Sequence, residues 1–127
     1  MHHISSPSNE DSAIERLLAA KGITAARVTP ADIQDCIEHE HYFTAAEGVM
    51  GSIEASNEML TWPPELELLT FCVLTLTNGF TVTGESACVS AASFDAAIGR
   101  RVARQNAEQK LWPLLGYALK ERLAQSA

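Results

Sequence analysis

No histidine follows His41 in this chain, and its three cysteines stand alone at 36, 72 and 88. Both shortages exclude chemistry. The run Gly84-Glu85-Ser86-Ala87-Cys88 has the outline of a nucleophile elbow, but Cys88 stands where the motif needs glycine. Neither Ser86 nor Cys88 has a downstream histidine to serve as base. The glycines at 79, 84, 99 and 116 are too scattered to form a phosphate-cradling loop. Three cysteines without a CxxC pair read as small buried apolar residues of a reducing compartment. His39 and His41, two apart, suit neither a zinc finger nor a helical i, i+4 ligand pair, and His2 and His3 fall in the polar N-terminus. The expectation is a protein without catalysis, metal or cofactor. There is no apolar run long enough for a membrane span and no hydrophobic leader, so a protein that stays in the cytoplasm of whatever cell makes it, with no membrane contact, is expected.

What is present is an ordinary globular composition, 46 % hydrophobic and 20 % charged, over a length that holds one core. The net charge of −7 argues against DNA or RNA as a partner. Its distribution is uneven. Up to Glu85 there are three basic residues against thirteen acidic ones; from Ser86 onward there are six against three. Arg100, Arg101 and Arg104 therefore form either a local anion site or a solvated helix face.

Residues 1–11 are polar and aperiodic and are expected to be flexible, with a single domain over 12–127. Ser12-x-x-Glu15 reads as a capping box opening a short helix (Ile14, Leu17, Leu18) that Gly22 stops. Thr29, Pro30 and Asp32 open a second helix, expected to end near His39 to His41. The segment 45–64 is broken by Gly48, Gly51 and Pro63-Pro64 yet rich in apolar residues, which fits a loop or short helix over the core or an arm that contacts another subunit.

Asn78-Gly79 between two β-rich runs predicts a hairpin with a two-residue type I′ turn. That turn sets Thr77 opposite Phe80, Thr75 opposite Val82 and Val73 opposite Gly84. Both faces of the first strand are largely apolar, so helices or a partner chain should cover each. A third strand near Tyr42 to Ala45, or strands of a second subunit, should complete the sheet. Ser90 or Ser93 is expected to cap a long basic helix with Asp95 in its first turn, and Trp112-Pro113 to end or kink it before a C-terminal helix. The fold class is α+β: a small antiparallel sheet flanked by helices.

Binding is better provided for than catalysis. The short side chains of Ser86, Ala87 and Cys88 leave backbone N–H groups open to a ligand. Arg100, Arg101 and Arg104 offer planar cations for phosphates, and Gln105 offers an amide. Phe80 and Phe94 are candidates to stack on a base, with core packing the plainer role for at least one. Asp95 completes the candidate set.

Leu69 to Leu123 carries the words LTNGFTVTGESACV and FDxxIGxxxAxxxAxxxLWPLxGYxLxxxL. Together with Lys21 to Ile33 and Tyr42 to Ala45, they resemble a family of small tailed-phage and prophage accessory proteins. The NGF hairpin, the ESACV strand exit, the FD-initiated helix and the WPLxGY ending are also similar to phage anti-defence sponges of the Thoeris type. That resemblance implies a homo-oligomer that holds cyclic ADP-ribose immune signals uncleaved, with cyclic oligonucleotides as a further ligand in some members. A phage adaptor that blocks a host protein is the alternative, and a nucleotide hydrolase a third.

Overall fold

Local chemistry places the first elements of the computed structural model, which describes residues 9–56 and 61–126. Helix α1 (Asn9–Ala20) stops at Gly22, whose φ of +69° is the left-handed conformation that ends helices. It begins at Asn9, three residues before the expected capping box, so residues 9–11 belong to it. The expected flexibility of residues 1–8 lies outside the described residues. Helix α2 (Pro30–Asp35) has the expected start: the Asp32 N–H donates to Thr29 Oγ1 at 3.1 Å, and the Thr29 N–H donates back to Asp32 at 2.9 Å.

α2 ends at Asp35, earlier than expected, because the β-prone run starts at once. Strand β1 (Ile37–Thr44) already includes His39 and His41 and is the third strand, longer than the Tyr42 to Ala45 expected. Helix α3 (Ala45–Ser56) follows it directly, and a 3₁₀ turn over Pro64–Leu68 leads to strand β2 (Leu69–Leu76). The Met59 and Leu60 part of the apolar 45–64 segment lies outside the described residues. Strand β3 (Thr81–Ala87) closes an antiparallel sheet of order β1-β2-β3.

The hairpin register differs from the expected one by a single residue. Leu74 faces Val82 and Cys72 faces Gly84. The loop has three residues, Thr77 to Gly79. The Gly79 N–H donates to Leu76 O (2.9 Å), the Leu76 N–H to Phe80 O (2.8 Å), and Gly79 takes the left-handed conformation at φ +88°. Asn78 Oδ1 accepts from the Phe80 N–H at 3.0 Å, which holds this wider loop. Burial chooses between the registers. Thr81, Thr83 and Glu85 stay exposed, whereas Val82 and Gly84 face the core; the two-residue turn would have reversed β3 and buried three polar side chains.

Helix α4 (Ala96–Gln109) lies across β3 and β2 on the face formed by Thr70, Cys72, Leu74, Leu76, Val82 and Gly84. Gly99, Ala103 and Ala107 are its contact stripe. A Cβ at Gly84 would overlap the Ala103 carbonyl oxygen and the Ala107 nitrogen, so strand and helix meet there backbone to backbone. The helix breaks at Lys110 before α5 (Leu111–Ser126). The break falls three residues ahead of Pro113 because the proline ring excludes a continuous helix through the carbonyl four residues back, that of Gln109.

The opposite face of the sheet carries His39, His41 and Phe43 on β1 beside Thr75, Val73 and Phe71 on β2. Phe43 and Phe71 stack with centroids 5.5 Å apart, and a Cβ on Gly48 of α3 would lie 3.6 Å from the Phe43 ring. Coverage on both faces was expected. Here α4 seals one face, while Phe43 remains 39 % exposed on the other.

Gly84→Ala should cost about 3 kcal/mol, because the added methyl has to move a helix backbone rather than a side chain. Urea unfolding measures it, and a loss under about 0.5 kcal/mol would show that α4 is not seated on β3 at this point.

Candidate functional site

β3, its exit and the start of α4 bring Ser86, Ala87, Cys88, Phe94 and Asp95 to one end of the sheet. Ser86 and Ala87 end β3, and the Cys88 N–H donates to Leu68 O at 3.0 Å. Cys88 Sγ donates to Ser90 O (3.2 Å), and the Ser90 and Ser93 hydroxyls bond each other at 3.1 Å. Neither serine caps α4. Asp95 is the N-cap, accepting from the Ile98 N–H at 3.0 Å, while Ser93 closes a 3₁₀ turn. The cap already neutralises the positive end of α4, so Asp95 is an acceptor here and the helix start is not an open anion site. Phe94 is half-buried, its ring within 3.8 Å of where a Cβ on Gly99 would stand. Phe80 is 54 % exposed at the other end of β3, roughly 20 Å from Ser86 by strand rise. It is not part of this group.

The arginines divide. Arg100, Arg101 and Gln105 are exposed. Arg104 is 4 % exposed, and its guanidinium is committed inside the protein. Nε donates to Glu108 at 2.7 Å, Nη2 donates to Gln34 Oε1 at 2.9 Å, and Nη1 pairs with Glu40. Gln34 Nε2 in turn donates to Glu108 at 3.2 Å. One cation thus joins α2, β1 and α4. The expected phosphate role for Arg104 meets a side chain with no free donor surface, because two carboxylates and an amide already hold it. Sequence reasoning passed over this cluster. Arg104 and Glu108 at i, i+4 were visible as a pair, but Glu40 and Gln34 are about seventy residues away and left no local signal.

Beside it, Tyr42 and Cys72 are cross-strand partners. Burial raises the Tyr42 hydroxyl well above its ordinary value, helped by its contact with Cys72, and Arg100 opposes the shift. Burial also pushes the Cys72 thiol up to about 11 against a pull downward from the Tyr42 hydrogen bond. Both groups are neutral at physiological pH. Cys36 is likewise raised, by burial first, and donates its thiol proton to Ile33 O at 3.2 Å.

The described residues thus form a small α+β domain with a polar strand exit, exposed Arg100 and Arg101 on α4, and a buried network around Arg104. Residues 28–123 match the phage protein (N4 Gp49/phage Sf6 gene 66) family, and the chain belongs to it. No curated protein and no solved structure matches the chain. No helix among the described residues is long and apolar enough to cross a membrane.

Two outcomes follow from the buried groups. Arg104→Ala leaves Glu40 and Glu108 unneutralised in the interior and should cost about 3–5 kcal/mol in urea unfolding. A loss below about 1 kcal/mol would mean the cluster is hydrated. The second concerns pH. With its folded value raised, Cys72 keeps its proton above pH 9 while the unfolded chain releases it, so stability is lost as pH climbs from 9 towards about 11. Cys72→Ala should flatten that decline in thermal melts, and an equally steep decline would remove Cys72 as its source.

Proposed function

We propose that this phage-family protein binds a cyclic nucleotide immune signal of the cyclic ADP-ribose type and holds it without cleaving it. What supports the reading is the grouping of Ser86 to Cys88, Phe94 and Asp95 at the β3 exit and the start of α4, with Arg100 and Arg101 exposed in the first two turns of the same helix. These supply backbone donors, an aromatic edge, a hydroxyl acceptor and two cations, the set a nucleotide diphosphate needs. Family membership supports a phage accessory role. In this reading a second copy completes the site in a homo-oligomer. Cyclic oligonucleotides present the same phosphates and bases and are further candidates.

A second reading, an adaptor that inhibits a host protein, is favoured by one observation: the half-exposed Phe43, Phe71 and Val73 on the sheet face that α4 leaves uncovered.

Incubation with a cyclic ADP-ribose signal followed by heat denaturation separates the readings. A sequestering protein returns the intact molecule, a hydrolase returns product and an adaptor retains nothing. In the same assay the Arg100→Ala/Arg101→Ala double variant should bind at least about a hundredfold more weakly, since each charge-assisted bond contributes roughly 1.5–3 kcal/mol. Both side chains are exposed, so its melting temperature should hardly move. Unchanged affinity removes the arginines from the site.

A further inference from the structure

Helix α1 is an amphipathic element whose apolar ridge is uncovered. None of its residues is buried, and Ile14 and Leu17 are 46 % and 60 % exposed. A twelve-residue helix of this kind is marginal in water and needs an apolar surface to lie on. It also lies outside the matched family segment, which begins at residue 28. A surface for its ridge is to be sought on the domain that follows.

One surface fits it. Between α2 and α5 runs an open groove of ≈ 340 Å³, with Val28, Cys36, Leu115, Ala118 and Leu119 as its apolar lining. Its charged rim has Asp32 and Asp35 on α2 and Arg27 and Arg122 flanking them, and no α1 residue lines it. The exposed ridge of α1 reads Glu10, Ile14, Leu17, Lys21, an i, i+4, i+7, i+11 series on one side. The Lys21 N–H still bonds Leu17 O at 3.1 Å, which extends the ridge by a residue. An acid, two apolar residues and a base thus match in kind a groove that offers a cation, an apolar floor and acids. Glu10 complements Arg122, and Lys21 complements Asp35.

Glu15 lies on the flank of α1 away from that ridge, and it tethers the helix beside the groove. Arg27 on the groove rim donates to Glu15 of α1 at 2.8 Å. The segment 21–29 connects α1 to α2, with Gly22 in the left-handed conformation at its start. Nine residues reach up to roughly 30 Å, more than the ~18 Å length of α1. We infer that α1 is a lid that closes over the α2–α5 groove of its own chain, seating Ile14 and Leu17 on Val28, Leu115 and Leu119.

Cys36 lines the groove and reports closure directly. In the full-length protein carrying Cys88→Ser, Leu17→Cys should form a disulfide with Cys36 under mild oxidation, running as a monomer on a non-reducing gel. Ala19→Cys, on the opposite side of α1, should give at least about tenfold less. Equal yields from the two positions would mean that α1 moves without a preferred seat and would overturn the lid. A disulfide linking two chains would overturn it in favour of helix exchange between copies. In the native-cysteine background, Leu17→Asp should raise the alkylation rate of Cys36 at least about threefold, and an unchanged rate overturns the proposal as well.

Discussion

The contact on which the rest of the structure depends is the one where Gly84 meets Ala103 and Ala107. No side chain fits between them, so α4 rests on the backbone of β3 itself. That proximity lets a fourteen-residue helix cover two strands with small residues and still bury Cys72, Leu74, Leu76 and Val82. It also dictates the hairpin. Only the register that turns Gly84 toward the helix keeps Thr81, Thr83 and Glu85 in water, and the three-residue loop follows from that demand.

A helix held so close to the sheet brings its flank against β1, where Arg104 meets Glu40, Glu108 and Gln34. Two carboxylates around one buried guanidinium do little for net stability relative to an apolar cluster, but they punish misplacement. If β1 slipped by one residue against β2, Glu40 would turn to the open face and leave Arg104 with a poorer set of partners. The network therefore helps to fix the register of the edge strand, together with the bulge between Ile37 and His39. The Tyr42–Cys72 pair adds a second cross-strand tie beside it.

The α+β class, the capping box of α2, the stop at Gly22 and the three strands were legible because each is written in residues close in sequence. The turn was half legible. Asn78-Gly79 announces a hairpin, yet the dipeptide fits both a two-residue and a three-residue loop, and it is the polar alternation of β3 that decides between them. Arg104 was misread because i, i+4 spacing to Arg100 says that two side chains share a flank, not whether that flank faces water. Its partners on α2 and β1 are far away in the chain. The grouping of Ser86 to Cys88 with Phe94 and Asp95 was legible in outline, since a strand exit and the helix after it are neighbours by connectivity. Phe80 was assigned by residue type alone, and strand length separates it from the others.

Helix α4 divides its work by face. Gly99, Ala103 and Ala107 belong to the sheet, Arg104 and Glu108 to the ionic cluster, and Asn106 closes the β3 edge by donating to Glu85 O at 2.7 Å. Arg101 and Gln105 remain exposed, with Arg100 at the border near Tyr42. Changes on the first three faces act on folding, because each removes a contact that positions a strand. Changes on the last face leave those contacts intact. A domain built this way can change its exposed side chains at the start of α4 while its sheet, its register and its buried charges stay as they are.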